Sequence, residues 1–405
     1  MELLGKSWEE LKAYCAGVGE PAYRADQIYH WLYAEGEFAV ERWSNLPAAL
    51  REKLKREATV TLPTVRQRYV SSDGSVRYLF GLGDSKEDFT TENTEGAEKN
   101  TGKRFGGALK KPASVEAVFM PSEGRQTICI STQAGCAVDC QFCLTAQLGL
   151  IRNLTAGEMV AQVLMPLKEM EGREIGGQKE IEKKAPASES GPYIGEEERT
   201  GLAVRTNVVL MGQGEPLLNF ENVMGALRIL LDVEGVGLSP KHVTLSTSGI
   251  VPGIERLGKE DVRPKLAISL NASCDGQRDA LMPINKKYPL KVLMEACRNY
   301  PLRNWEHLTF EYVMLGGVND APEDARRVVR LLGPLTRVKV NLIPWNPGEL
   351  PYKESSAETL EEFRRILVEK GVPAFVRYSR GRDVMAACGQ LALKEVQGAG
   401  LTVLG

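Results

Sequence analysis

Three thiols stand out among the residues that could do chemistry in this 405-residue chain. Cys136, Cys140 and Cys143 lie in STQAGCAVDCQFCLTAQ with CxxxCxxC spacing, behind a β-branched run and a glycine. Thiolates this close in one loop can wrap one face of a small inorganic cluster. On a four-iron cubane, three cysteines leave one iron without a protein ligand and open to a small molecule. Structural zinc instead wants four ligands, commonly from paired CxxC motifs. His30, His242 and His307 are the only histidines and stand isolated in the sequence. The spacing therefore points to iron and sulfide, with zinc or incidental packing as the bland alternatives.

Small polar residues recur where apolar runs end. MGQGEPLLN places Gly214 and Glu215 directly after one run. A glycine there lets backbone approach a ligand, and a carboxylate can accept hydrogen bonds from an ammonium group. LSTSG supplies Ser246, ISLNA supplies Ser269, Leu270 and Asn271, and IPWNP supplies Asn346. Each alone reads as a turn or cap residue; as a set they suit ribose, adenine and carboxylate atoms. Cys129 in TICIST and Cys388 in RGRDVMAACGQLAL would singly be a buried strand cysteine and a helix-start cysteine. Cys15, Cys274 and Cys297 have no suggestive surroundings and read as structural.

The elements that must position these residues follow from periodicity. From about residue 125, the runs TICIST, NVVLMG, HVTLSTS, KLAISLNA, TFEYVML and VKVNLIPW alternate with helical patterns. Thr155 with Glu158 forms a capping box, and Asp320 can cap a helix that stops at Gly333 and Pro334. Six βα repeats with near-continuous apolar strands predict a parallel α/β sheet, closed or partly closed as a barrel, with its chemistry at the C-terminal strand ends. Residues 1–80 read mainly as helices. Ser7 with Glu10 makes a capping box, and YRADQIYHWLYAEG carries a stripe of Ile28, Tyr29, Trp31, Leu32 and Tyr33 expected in the core. Polar tracts at 84–104 and 176–201 are too poor in large apolar residues to offset their ordering entropy and read as loops or disordered insertions. The chain thus divides into a helical domain at 1–80, a polar linker at 81–111, a core at 112–395 interrupted at about 176–201, and a tail at 396–405.

Composition sets the class. The chain is 43% hydrophobic and 26% charged with a formal net charge of -2, as in ordinary soluble domains, which excludes collagen-like, wholly disordered and disulfide-scaffold proteins. No apolar stretch approaches the roughly 18 residues of a membrane span, and MELLGKSWEELKAYC lacks the order of a secretory signal. A cytoplasmic protein without membrane partners is expected, and its cysteines are then not disulfide staples. Each polar tract carries six acidic and four basic residues, so the rest of the chain is near +2, too mild to identify a nucleic-acid partner.

The cluster motif is the signature of the radical S-adenosylmethionine superfamily, and the chain looks like a member. With GEPLLN, LSTSG, INKKY and AACGQL following in that order, it resembles the RlmN family of dual-specificity adenosine methyltransferases, loosely over about 1–80 and closely over about 112–395 outside the second tract. The resemblance implies a partial (β/α)6 barrel with a small N-terminal helical domain. It implies a [4Fe–4S] cluster on Cys136, Cys140 and Cys143, whose open iron holds S-adenosylmethionine and whose electron releases a 5′-deoxyadenosyl radical. Gly214, Glu215, Ser246, Ser269, Leu270, Asn271 and Asn346 would contact S-adenosylmethionine. Two of these molecules would be used per turnover: one methylates Cys388, and the other supplies the radical that takes hydrogen from that methyl group. The carbon adds to C2 of adenosine, Glu116 of SVEAVFMP accepts the ring proton, and Cys129 attacks the Cys388 sulfur to release the base and leave a Cys129–Cys388 disulfide. Implied substrates are an adenosine in the peptidyl-transferase centre of 23S rRNA and the adenosine 3′ of the anticodon in tRNA. An external electron donor and a monomeric enzyme complete the expectation.

The target base must be unpaired or extruded to be reached. The helical block and Lys286, Lys287, Arg377, Arg380 and Arg382 are candidates for docking RNA, each otherwise a solvated charge. Three features depart from the family pattern. Asn271 stands where the family often has His, one tract shortly precedes Glu116, and the other interrupts the first βα connection. Competing readings are a carbon-8 adenosine methyltransferase, a non-methylating iron–sulfur protein and a zinc-binding RNA module.

Overall fold

The computed structural model describes residues 1–83, 113–172 and 206–391. Both polar tracts, most of the expected linker and the expected tail at 396–405 lie outside the described residues.

Helix α1 (Trp8–Gly17) begins at the expected reciprocal cap: Glu10 N donates to Ser7 Oγ, and Ser7 N donates to the Glu10 carboxylate. Helix α2 (Tyr23–Tyr29) widens into a π turn at His30–Ala34, burying Ile28, Tyr29, Leu32 and Tyr33 as its stripe requires, while Trp31 is half-buried. Helix α3 (Ala48–Glu57) ends the helical block. The expectation of helices to residue 80 is corrected here. Strands β1 (Thr64–Val70) and β2 (Val76–Gly81) form an antiparallel hairpin that continues through β3 (Ser114–Ser122) into β4 (Arg125–Cys129). TVRQRYV and VRYLFG are β-branched and aromatic, and Ser71–Ser75 between them carries a turn with Gly74 at positive φ, so strand signals outweigh the helical reading.

A short antiparallel pair, β5 (Gln133–Gly135) and β6 (Leu150–Asn153), brackets the cysteine loop. Helix α4 (Ala156–Gly172) starts at the expected box, with Glu158 N donating to Thr155 Oγ1 and Thr155 N to the Glu158 carboxylate. Then follow β7 (Thr206–Leu210), α5 (Phe220–Leu231), β8 (Val243–Thr247), α6 (Val251–Leu257), β9 (Lys265–Ser269), α7 (Asp275–Leu281), α8 (Leu290–Asn299), β10 (Leu308–Met314), α9 (Pro322–Leu332), β11 (Val338–Pro344), α10 (Ala357–Glu369) and β12 (Ala374–Val376). The sheet order is β1-β2-β3-β4-β7-β8-β9-β10-β11-β12, parallel from β4 onward. The six expected parallel strands are all present, and β12 adds a short seventh. This is the expected α/β architecture of a partial barrel. Asp320 does not cap α9. Pro322 opens the helix, the Asp324 carboxylate accepts from Ala321 N, and Asp320 instead accepts from Gly317 N and Ser355 Oγ.

The largest apolar cluster among the described residues spans the N-terminal block and the barrel, with smaller clusters around Cys129 and Trp345. Leu3, Leu11 and Trp43 of the N-terminal block share the largest with Phe80 of β2, Leu227 of α5 and Phe310 of β10. The block is therefore packed onto the barrel as part of it, and Tyr29 Oη donates to Asp232 Oδ2 at 2.9 Å across the junction. Among the described residues no helix is long and apolar enough to cross a membrane.

Candidate active site

Strand β4 delivers the chain to the cysteine loop. Asp139, between two of the thiols, takes a left-handed conformation with φ 58°, tolerable for its short polar side chain. Cys136 N donates to Gly149 O at 3.0 Å, and Gln141 N donates to Leu281 O at 3.0 Å, fixing both ends of the loop. Cys136, Cys140 and Cys143 line one cleft of about 980 Å³. Burial raises Cys136 to about 12 and Cys140 well above the ordinary thiol value.

The loop after β7 forms the facing wall. Gly214 has φ 99°, and a Cβ there would stand 2.7 Å from Gln133 N, so this close approach requires glycine. Glu215 N donates to Gln133 Oε1, and Asn219 Nδ2 donates to Thr132 O and Leu154 O, each at 2.8 Å, tying GEPLLN to the cysteine loop. The buried Glu215 carboxylate accepts from Thr247 Oγ1 at 2.8 Å, Ser248 N at 2.7 Å and Leu217 N at 3.1 Å. Burial raises its pKa and these bonds oppose the rise. Ser246 and Ser269 hydroxyls lie 3.4 Å apart in the wall. Leu270 is fully buried behind it and engages through its backbone, donating to Glu311 O and accepting from Arg278 Nε. Asn271 has φ 55° and lines the cleft, but its side chain stitches β9 to β10: Oδ1 accepts from Val313 N at 2.8 Å and Nδ2 donates to Met282 Sδ.

The segment carrying Cys388 closes the cleft. Asn346 Nδ2 donates to Ser379 Oγ at 2.9 Å and Cys388 O at 3.2 Å. Leu144 N donates to Gly389 O, and Thr145 Oγ1 donates to Leu391 O. From below, the turn between β1 and β2 clasps the same segment. Ser71 Oγ and Ser72 N donate to Asp383, while Gly381 N donates to Asp73 Oδ2 at 3.0 Å. Cys388 lines both the first cleft and a second of about 700 Å³ that contains Cys129, Met120 and Tyr378. Its surface is solvent-accessible, yet the crowding of protein atoms around the thiol, with Glu311 next in effect, raises it to about 11. Burial drives the Cys129 thiol far above its usual range.

Most of the sequence-derived candidates thus converge, but Glu116 lines neither cleft. It shares a face of β3 with Val118 and Met120, is 1% exposed, and its carboxylate accepts from Arg77 Nη1 at 2.5 Å and Gln213 Nε2 at 3.2 Å. Of the basic candidates, Arg380 pairs with Asp73 at 3.5 Å and Arg382 with Glu354 at 3.0 Å; Lys286, Lys287 and Arg377 are exposed. Cys15 and Cys297 are buried as structural cysteines should be, whereas Cys274 is exposed ahead of α7. Two site residues were missed. Arg278, fully buried, donates to Leu270 O, Ser269 O, Ser248 O and Asn285 Oδ1, gathering the ends of β8 and β9; nothing local in the sequence marks it. Glu311 lines the cleft from β10. A lone charge inside the apolar run TFEYVML was the signal available for it.

No three His, Cys, Asp or Glu side chains among the described residues are placed to share one metal ion. Three thiols spread around a concavity suit a multi-iron cluster better. The Ser248 hydroxyl is buried in the wall beside the Glu215 carboxylate, so two polar groups meet at a surface suited to a polar ligand. The curved parallel sheet, the three-cysteine loop at its C-terminal edge and the polar wall define a radical S-adenosylmethionine enzyme. The family model for the radical SAM superfamily matches residues 130–331, and that for the ribosomal RNA large subunit methyltransferase N-terminal domain matches residues 1–60. The chain belongs to the RlmN family of dual-specificity RNA methyltransferases, an enzyme family of the radical S-adenosylmethionine class with its [4Fe–4S] cluster and S-adenosylmethionine. It is 45% identical to a probable dual-specificity RNA methyltransferase RlmN of Koribacter versatilis, over 94% of this chain and 98% of that one. It is 42% identical to the dual-specificity RNA methyltransferase RlmN of Anaeromyxobacter dehalogenans, over 95% and 90%. A solved radical SAM methyltransferase from Sphaerobacter thermophilus matches with a TM-score of 0.79 and 37% identity, over 96% of this chain and 99% of that one.

Proposed function

We propose that this enzyme methylates carbon 2 of adenosine in 23S rRNA and in tRNA, 3′ of the anticodon, with Cys388 as methyl carrier and Cys129 as resolving thiol. The observation that carries this reading is the position of Cys388, which faces the three cluster cysteines and Glu215 in one cleft and Cys129 in the next. Carbon 2 of adenine is electron-poor and bears no acidic proton, so polar methyl transfer lacks a nucleophile there. A carbon carried on sulfur and delivered as a radical avoids that obstacle.

Cys136, Cys140 and Cys143 would hold the cluster. Gly214, Glu215, Ser246, Ser269, Asn271 and Asn346 would hold S-adenosylmethionine, with Leu270 acting through backbone. When bound, cluster and S-adenosylmethionine supply the 5′-deoxyadenosyl radical. The residues do the rest. Cys388 accepts a methyl group from a first S-adenosylmethionine, loses one hydrogen atom from it at the expense of a second, and joins that carbon to the adenine ring. Glu116 is the acceptor that the family resemblance implies for the ring proton, and to serve it would have to exchange its bonds to Arg77 and Gln213 for the base, since it lines neither cleft. The one electron left over from radical addition would return to the cluster that Cys136, Cys140 and Cys143 would hold. Cys129 then attacks the Cys388 sulfur, the carbon–sulfur bond breaks with its electrons toward the base, that carbon takes up a proton to complete the methyl group, and a disulfide remains for an external reductant to open. The N-terminal block, Lys286, Lys287 and Arg377 would meet the RNA backbone; an external donor supplies the electron and the enzyme works as a monomer.

The test is anaerobic reconstitution with S-adenosylmethionine, a reductant, and unmodified 23S rRNA fragments or tRNA, followed by nucleoside mass spectrometry. We expect 2-methyladenosine from both RNAs. Recovery of 8-methyladenosine, or of unmodified RNA beside cleaved S-adenosylmethionine, overturns the reading.

A further inference from the structure

Strand β10 brings a carboxyl group to the cleft that the proposed chemistry leaves without work. Glu311 sits in register with Ser269 on β9 and Asn341 on β11. Among the described residues, the carboxyl groups lining the cleft are Glu215 and Glu311, and their surroundings differ. Glu215 accepts three hydrogen bonds across both oxygens. Glu311 is 8% exposed but accepts one, from Asn341 Nδ2 to Oε1 at 2.9 Å, and no cation lies within ion-pairing distance among the described residues. The nearby Arg377 Nε donates to Asn341 Oδ1 instead. Burying a carboxyl so poorly satisfied costs stability, and such groups persist where they serve chemistry.

The thiol in the same cleft needs such a group. Cys388 must lose its proton when its sulfur becomes alkylated, and apart from Glu215 and Glu311 the polar side chains lining the cleft are hydroxyls, amides, the Trp345 indole and the three cluster cysteines, none of them a carboxylate. Glu215 and Glu116 have their carboxylates committed to hydrogen bonds and an ion pair. We infer that Glu311 is the proton acceptor for Cys388 in its alkylation by a sulfonium methyl donor. A sulfur lone pair forms the new carbon–sulfur bond, the sulfonium carbon–sulfur bond breaks with its electrons leaving on the thioether, and the thiol proton passes to the Glu311 carboxylate and from there to solvent. No electron is gained or lost overall. The basicity of the group fits this role, since burial, opposed by Asn341 and by the charges of Arg377 and Lys339, brings Glu311 to about 7.

This inference rests on Cys388 being the methyl carrier, and the experiment separates the two. Wild type, Glu311→Gln and Glu311→Asp holoenzymes are incubated with S-adenosylmethionine without RNA, and methylation of the Cys388 peptide is followed by mass spectrometry. Loss of the base should slow methyl loading by about 100-fold or more in the Gln variant, with the Asp variant within about tenfold of wild type. In parallel, iodoacetamide alkylation of Cys388 is measured against pH without S-adenosylmethionine. Removing the neighbouring negative charge should move that profile to lower pH, so the Gln variant alkylates faster while it methylates slower. A merely structural role would slow both. Methyl loading of the Gln variant at the wild-type rate, or parallel slowing of both reactions, overturns the assignment. Absence of methyl on wild-type Cys388 overturns the carrier reading and this inference with it.

Discussion

At the scale of single residues, the two thiols of the second cleft should fail differently. On the proposed roles, Cys129→Ala should keep methyl loading and addition to the base but lack the resolving nucleophile. It should therefore accumulate a covalent protein–RNA adduct, visible as a slow band in a denaturing gel and absent from Cys388→Ala. Glu311 leaves a mark on stability as well. Its folded pKa, about 7, lies above its ordinary value of 4.5 because of burial, so the folded state binds the proton more tightly than the unfolded one. The stabilisation is full below about pH 4.5 and is lost as pH rises through 7. At about 1.4 kcal/mol per pH unit this amounts to about 3 kcal/mol. Glu311→Gln should flatten that fall, giving a melting-temperature advantage over wild type that grows between pH 5 and 8. The cysteine loop was legible from sequence because its chemistry is written in local spacing. Glu311 showed in the sequence only as a lone charge inside an apolar run, its role set by strand register, and Arg278 showed not at all, because its role arises from four acceptors that only the fold gathers.

At the scale of elements, strands β7 to β11 and the helices between them follow from apolar runs, caps and stops, and they appear where those signals stand. The β1–β2 hairpin escaped notice because its strands adjoin a helical block and their partner, β3, lies across a polar tract. That hairpin matters to the site, since its turn clasps the segment bearing Cys388. Burial raises Asp73, but bonds from Ser75, Gly381 and Ser71 outweigh it and bring the group to about 2; Asp383 is lowered mainly by the Ser71 hydroxyl. Both carboxylates thus stabilise the clasp above about pH 4, and that contribution is lost as pH falls toward 2. Hydrogen exchange of residues 379–390 should accelerate over this window before the barrel helices lose protection. Asp383→Ala should reproduce the loosening at neutral pH, lowering kcat at least several-fold while S-adenosylmethionine affinity stays within about threefold.

At the scale of the whole molecule, the shared core joins the N-terminal block to the barrel. An amphipathic stripe in the sequence says only that something covers it; the packing of Leu3, Leu11 and Trp43 shows what does. Deleting residues 1–60 should accordingly yield protein without a cooperative thermal transition, rather than a stable barrel lacking RNA affinity. Tyr29→Phe, which removes the hydroxyl bonded to Asp232, should cost about 1 kcal/mol while leaving one transition by fluorescence and circular dichroism alike. The clasp also bears on how the enzyme is made. Residues 379–391 bond to the turn at 71–75 and to the cysteine loop, parts of the chain synthesised far earlier. On the ribosome the three cysteines of the loop and most of the barrel strands emerge before Cys388 does. Translation order therefore leaves one side of the cleft open until late, and Cys388 is among the last pieces fitted to its wall.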